Sequence, residues 1–285
     1  MRSSSASRRD CSKATRWIWI CLLLLFLAVF ALSSPPWATA EETTNVVDLK
    51  LVIAVDVSTS MDQEEQRLQR EGYARALRSP EVMQAIKSGR RGRIAVIYVE
   101  WASPENQRVL VPWTVIDGPD DAAEMANAVK EQPTILQGGT SISAALSFAA
   151  KLLRTSGLQS DRQIIDVSGD GPNNSGPPIT PIRDSLVAHG TTINGWAISL
   201  SHHQQPNMIE SFDLPYLKSY YEHCVIGGLG AFVLSVADPA DFEKAIRRKF
   251  VNEIAGLSAL LQLASNERLD LPAADCLTHG QYQYR

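Results

Sequence analysis

Residues 51–55, Leu-Val-Ile-Ala-Val, are apolar without a break and run straight into Asp56-Val57-Ser58-Thr59-Ser60. A strand that is apolar at every position has no face to give to water, so both of its faces must be covered. Leu49 to Val57 is therefore read as a first, fully buried strand. The rest of the chain alternates strand and helix patterns with short punctuation, which predicts an α/β architecture around a largely parallel sheet.

The helical stretches are Gln63 to Leu77, a short one restarted by Ser79-Pro80, Asp120 to Glu131, Ser141 to Leu153, Ile179 to His189, and one opened by Asp238-Pro239. In the last of these Phe242, Ile246, Phe250 and Ile254 recur every four residues, an apolar stripe on one helix face. Further strands are read at Arg93 to Trp101, Val109 to Ile116, Arg162 to Ser168, Thr192 to Leu200 and Ala231 to Ala237. Only residues 102–108 separate the first two of these. So short a connection permits a hairpin and excludes a helical crossover, so one strand runs antiparallel at the sheet edge.

The first 40 residues differ in kind. Arg2, Arg8, Arg9, Lys13 and Arg16 precede an unbroken apolar run from Trp17 to Leu32, and Ala38-Thr39-Ala40 follows. These are the parts of a secretory signal, with cleavage expected after Ala40 and release to the periplasm or exterior. The alternative is an uncleaved membrane anchor, for which sixteen apolar residues are short against the roughly 20 that a hydrocarbon core requires. The expected organisation is a signal over residues 1–40, one domain over 41–256 and a tail over 257–285.

Residues 1–40 hold five of the 27 basic and one of the 31 acidic residues, leaving 22 against 30, a net charge of −8. That balance argues against a nucleic-acid partner, because phosphate contacts need clustered Lys and Arg. Cys11 and Cys21 leave with the signal, and the remaining Cys224 and Cys276 most simply form one disulfide in an exported chain. Two free thiols are the alternative.

Three loops carry the candidate chemistry: Asp56-Val57-Ser58-Thr59-Ser60, Gly139-Thr140 and Ser168-Gly169-Asp170-Gly171. Each follows a strand or opens a helix, and in an open α/β sheet such loops converge outside the carboxyl ends of the strands. Asp56, Ser58, Ser60, Thr140 and Asp170 supply two carboxylates and three hydroxyls, with no thiolate or imidazole. That set suits Mg²⁺, Mn²⁺ or Ca²⁺ and is poor for zinc.

Asp56-x-Ser58-x-Ser60 with Thr140 and Asp170-Gly171 resembles the metal-ion-dependent adhesion site of von Willebrand factor type A (vWA) domains, in the order that family uses. The similarity covers about residues 48 to 255, and Asp166 to Asn174 resembles an uncharacterised bacterial branch of exported vWA-like proteins. The resemblance implies a Rossmann-like open sheet, mostly parallel with one antiparallel edge strand and with helices on both faces. It also implies that the two serines, with or without the Thr, touch the cation while the aspartates act through water. An open coordination position then takes an Asp or Glu carboxylate of a protein partner, without catalysis. A shift of the C-terminal helix, here Asp241 to Ile254, is the coupling such binding suggests.

Blander readings stand beside these. Ser, Thr and Asp after a strand commonly make turns and caps, and Asp62 is read as the cap of the first helix. Asn173-Asn174 is read as a turn, and Glu100-Trp101 as packing. His202-His203 and His223 lack ligand partners at metal spacing, and Asp166 is left open between a buried group and an edge-facing carboxylate. A rival from another class is a Mg²⁺-dependent haloacid-dehalogenase-type phosphatase with Asp56 as nucleophile and Lys151 as phosphate binder. That reading requires a second Asp where this chain has Ser58, which cannot act as a general acid at neutral pH.

Overall fold

The computed structural model describes residues 45–61, 63–133, 135–199 and 214–256, together with Cys276. The expected export segment, the Asp62 cap, His202-His203 and the tail apart from Cys276 lie outside the described residues. No helix among the described residues is long and apolar enough to cross a membrane.

The chain order is β1 (Val46–Asp56), α1 (Gln63–Leu77), α2 (Pro80–Lys87), β2 (Ile94–Trp101), β3 (Gln107–Ile116), α3 (Pro119–Glu131), α4 (Ile142–Thr155), β4 (Gln159–Gly169), α5 (Ile179–Ala188), β5 (Thr191–Ile198), α6 (Leu214–Tyr220), β6 (Val233–Val236) and α7 (Phe242–Ala255). The strands form one sheet in the order β3-β2-β1-β4-β5-β6. β1 is parallel to β2 and β4, β4 to β5, and β5 to β6, while β2 and β3 form the antiparallel edge hairpin. The central strand is the one whose unbroken apolar run demanded cover on both faces.

Alternate residues of β1 enter opposite layers, as the two-residue period of a strand requires. Leu49, Leu51, Ile53 and Val55 pack with α1, α2, α3 and the α7 stripe Phe242, Ile246, Phe250 and Ile254. Val52 and Ala54 face the other way, into a layer built from α4, α5 and the 217–225 segment. The expected α/β sandwich of helices on both faces is thus observed.

Local sequence explains the element ends. Ser79 accepts a hydrogen bond from the Val82 amide, and Pro80 occupies the first turn of α2, where its missing N–H costs nothing. Ser141 caps α4 in the same way through the Ala144 amide. Asp238 accepts from the Ala240 amide and opens a short 3₁₀ turn, Pro239–Asp241, ahead of α7.

One element has no counterpart among the sequence expectations. α6 continues into a π turn, Tyr221–Val225, and this piece buries Leu217, Tyr220, Tyr221, Cys224 and Val225. Cys224 forms a disulfide with Cys276 across a separation of 52 residues.

Candidate metal centre

β1 and β4 lie side by side at the centre of the sheet, and from there β2-β3 and β5-β6 extend to opposite sides. The loops that leave the carboxyl ends of β1 and β4 therefore diverge and open a crevice at this switch point. Asp56 is the last residue of β1, and Gly169 ends β4 one residue before Asp170.

Asp56 is fully buried, and its Oδ1 accepts the Ser58 amide at 2.7 Å. Such an Asx-type turn bends the chain where the strand stops and brings the hydroxyls to one side. Ser58 Oγ lies 2.9 Å from Ser60 Oγ, and Ser60 Oγ donates to Asp170 Oδ1 at 2.8 Å. Four of the five predicted residues thus form one hydrogen-bonded chain across two loops. The fifth, Thr140, is buried and lines the same cavity of about 110 Å³ as Ser58, Ser60 and Asp170.

Thr140 is held from three sides. The Gln137 amide donates to the Val57 carbonyl at 3.0 Å, which aligns the 137–140 loop beside Val57-Ser58. Gly139 takes φ +85°, a backbone region where an L side chain is strained, and a Cβ there would meet Ser103 Cβ at 3.1 Å. From the far side, Asn174 Oδ1 accepts the Thr140 amide at 2.9 Å, and the Asn174 amide donates to the Thr140 carbonyl at 2.9 Å.

Asn173 does the same for the start of α4, its Oδ1 accepting the Ser143 amide at 2.9 Å. The Asn173 amide itself donates to Tyr220 Oη at 3.2 Å. These two asparagines are struts between the candidate loops as well as turn formers. Their place two residues after Gly171, across Pro172, was the sequence signal for that role.

Among the described residues the two carboxylates have no counter-charge beside them. Burial, and then the Asp170 charge, push the Asp56 carboxyl well above the usual range. Burial pushes Asp170 up to about 6, against the pull of the Ser60 hydrogen bond. No lysine or arginine among the described residues offsets either shift. Asp56 Oδ2 has no hydrogen-bond partner at all among the described residues. Nor does any group of three His, Cys, Asp or Glu able to hold a metal occur among the described residues, so a cation here would rely on hydroxyl donors. Hard oxygen donors with no positive side chain beside them among the described residues suit a hard divalent ion.

Other candidates separate from this cluster. Asp166 is buried and paired with Lys249 of α7. Glu100 pairs with Arg70 and Arg108, and Trp101 is fully buried, as the packing reading expects. His223 is half-buried, with Nδ1 2.8 Å from the Ser219 carbonyl. Lys151 is exposed on α4 and does not line the cavity.

Residues 46–258 match the family model described as "Protein of unknown function (DUF1194)". No curated protein matches the chain. Among solved structures, proximal thread matrix protein 1 from the mussel byssus, with a zinc-occupied metal-ion-dependent adhesion site, is 14% identical with a TM-score of 0.55; the match covers 73% of this chain and 48% of that one. A von Willebrand factor type A protein from Catenulispora acidiphila is 18% identical with a TM-score of 0.52, over 73% of this chain and 43% of that one. The pilus adhesin SpaC from Lactobacillus rhamnosus GG is 14% identical with a TM-score of 0.53, over 74% and 31%. The chain therefore spans less than half the length of each of these proteins.

Proposed function

The chain belongs to the DUF1194 family and has the vWA fold, and from that premise we propose that it is a non-catalytic, divalent-metal-dependent protein-binding domain. Ser58, Ser60 and Thr140 would hold the cation directly, with Asp56 and Asp170 behind them. The ion would supply a Lewis-acidic position that takes an Asp or Glu carboxylate of a partner protein. One observation carries the reading: a fully buried carboxylate, Asp56, and a partly buried one, Asp170, lie beside three hydroxyls, with no lysine or arginine among the described residues to balance them. Burying like charges uncompensated is costly, and a cation removes the cost. Because hydroxyls neutralise none of its charge, the ion keeps its affinity for an outside anion.

Mg²⁺, Mn²⁺ and Ca²⁺ are the ions the donor set favours, and zinc joins the trial because the mussel protein holds it in the corresponding motif. The phosphatase reading is weaker on two counts. Ser58 stands where a general acid is needed, and Lys151 is exposed on α4 and is not among the residues that line the cavity. We further propose that residues 1–40 direct export, that residues 41–256 are the binding domain and that 257–285 are an appended tail.

Titration of Mn²⁺ into the full chain by calorimetry is the direct test. The Ser58→Ala, Ser60→Ala double variant is expected to bind more than about a hundredfold more weakly, since outer-shell changes alone cost about 10–100-fold. Pull-down from envelope extract is expected to retain an acidic partner with Mg²⁺ and to lose it with chelator or the double variant. Equal retention in all arms would rule out a metal bridge. Phosphatase turnover abolished by Asp56→Asn would favour the enzyme instead.

A further inference from the structure

We infer that Tyr221 is a positioning residue of this centre, its phenol donating to the inner oxygen of Asp56 so that the outer oxygen is fixed toward Ser58 and the cation. The inference rests on the metal reading proposed above and adds to it a residue that the adhesion-site motif does not contain.

Two buried polar atoms without partners border one gap, with no hydrogen bond formed between them in this structure. Tyr221 is fully buried, and its hydroxyl has no hydrogen-bond partner among the described residues. Asp56 Oδ2 is equally buried and equally unpartnered. A Cβ built on Gly169 would lie 2.7 Å from Tyr221 Oη and 2.8 Å from Asp56 Oδ2, so both atoms border the space that Gly169 leaves open. One is a donor and the other an acceptor, and buried groups of this kind are seldom left unmade.

The sequence makes room for this approach. The ring of Tyr221 lies against two glycines on adjacent strands, Gly169 at the end of β4 and Gly195 in β5. A Cβ on Gly195 would stand 2.6 Å from Tyr221 Cδ1. Any other residue at either glycine would push the phenol away from Asp56. Trp101, directly opposite Asp56 in the β1–β2 register, closes the space with its ring, its Cζ2 lying 3.4 Å from the same Gly169 point.

The turn that carries Tyr221 is anchored at both ends. Tyr220 accepts the Asn173 amide, so the preceding residue holds the β4–α5 loop. Cys224, three residues on, is tied to Cys276. Adjacent tyrosines on one turn thus address the two halves of the centre: Tyr220 the loop beyond Asp170, and Tyr221 the carboxylate at the end of β1. In metal sites, groups that orient the residues around the ion commonly change its affinity by about 10–100-fold when removed.

The test uses Mn²⁺ as probe on the full chain, with calorimetry and with thermal melts in the presence and absence of the ion. Tyr221→Phe keeps the ring and removes only the hydroxyl. The expected result is a Mn²⁺ affinity lower by about 10–100-fold and a reduced Mn²⁺-induced rise in Tm, beside a metal-free Tm lowered by loss of the hydrogen bond to Asp56. Wild-type affinity in Tyr221→Phe would overturn the positioning role and leave the metal reading standing. So would a lowered metal-free Tm with the full Mn²⁺-induced rise, the signature of packing alone. If the wild-type chain binds Mn²⁺ no better than Ser58→Ala, Ser60→Ala, the metal reading and this inference fall together.

Discussion

Replacing Lys249 by methionine is expected to lower the stability of the fold by about 3–5 kcal/mol, the cost of stranding a buried charge without its partner. Lys249 of α7 is fully buried between two fully buried carboxylates, Asp166 of β4 and Glu253 one turn along its own helix. The Lys249–Glu253 contact is 2.7 Å, and Asn194 Nδ2 donates to Glu253 Oε1 at 3.0 Å. Tyr73 Oη donates to Asp166 Oδ2 at 3.3 Å. Burial alone pulls Lys249 down, yet the two carboxylates together hold it above its ordinary value.

A triple variant separates charge from volume. Lys249→Met, Asp166→Asn, Glu253→Gln removes all three charges and keeps the amide oxygens as acceptors. It is expected to recover most of the loss in urea unfolding, as neutral replacements of buried ion clusters commonly do. Failure to recover would place the cost in packing around the Lys249 stem.

One lysine cannot balance two carboxylates, and the excess appears as a proton. Burial, opposed by Lys249 and reinforced by Asp166, pushes Glu253 from the ordinary 4.5 to about 7. The folded chain therefore keeps a proton between these values that the unfolded chain has released. Stability from this group is full below 4.5, is lost as pH rises toward 7 and then levels off. Urea midpoints at pH 5 and pH 8 are expected to show the decline, and Glu253→Gln is expected to reduce it, leaving the part that the raised Asp56 and Asp170 carboxyls contribute.

The same cluster bears on the helix shift that the vWA resemblance suggests. Asp166 lies four residues before Asp170 on the strand that ends at the candidate centre, so Lys249 ties α7 to that strand. Sliding α7 along its axis would draw the lysine away from Asp166 inside the core. Any movement of that helix would have to carry the charge cluster with it or break it.

How much of this was legible depended on whether the signal was local. The unbroken apolar run of β1 placed it in mid-sheet, and the short connection, read as 102–108 and observed as 102–106, set the edge hairpin. The grouping of the candidate side chains was legible for the same reason, because Asp56, Ser58 and Ser60 lie in one turn and Asp170 at the end of the strand beside it. The α7 charges were not. Lys249 and Glu253 flank the Phe242–Ile254 stripe, and a charged residue next to an apolar stripe ordinarily faces water. Only β4 packing against that helix reveals Asp166 as their partner.

The 214–225 segment was illegible for a different reason. Pro215 near its start, three tyrosines and a π turn leave no regular helical period to find. Its place is set by long-range contacts, with Asn173 through Tyr220 and with Cys276 through Cys224. Gly169 was read as part of a loop motif. Its lack of a side chain matters because Asp56 and Tyr221 approach it from other elements.

Cys276→Ser is expected to destabilise the oxidised protein by about 4 kcal/mol, the chain-entropy value for a cross-link closing a loop of this length. The bridge joins the fully buried Cys224 of the π turn to Cys276 across 52 residues of sequence. Without it, the unfolded chain regains the freedom of that whole segment, and the layer that holds Cys224 also loses the packing of the Cys276 sulfur. Dithiothreitol should therefore lower the urea midpoint of the wild-type chain by about the same amount and leave Cys276→Ser where it was. A variant as stable as the oxidised wild type would mean that the 257–275 connection adds little freedom to the unfolded chain, and the entropic account would fail. Because Cys224 lies three residues from Tyr221, the same pair of samples also tests whether the anchor reaches the centre. Mn²⁺ affinity in Cys276→Ser reads that coupling at a temperature where both proteins are folded.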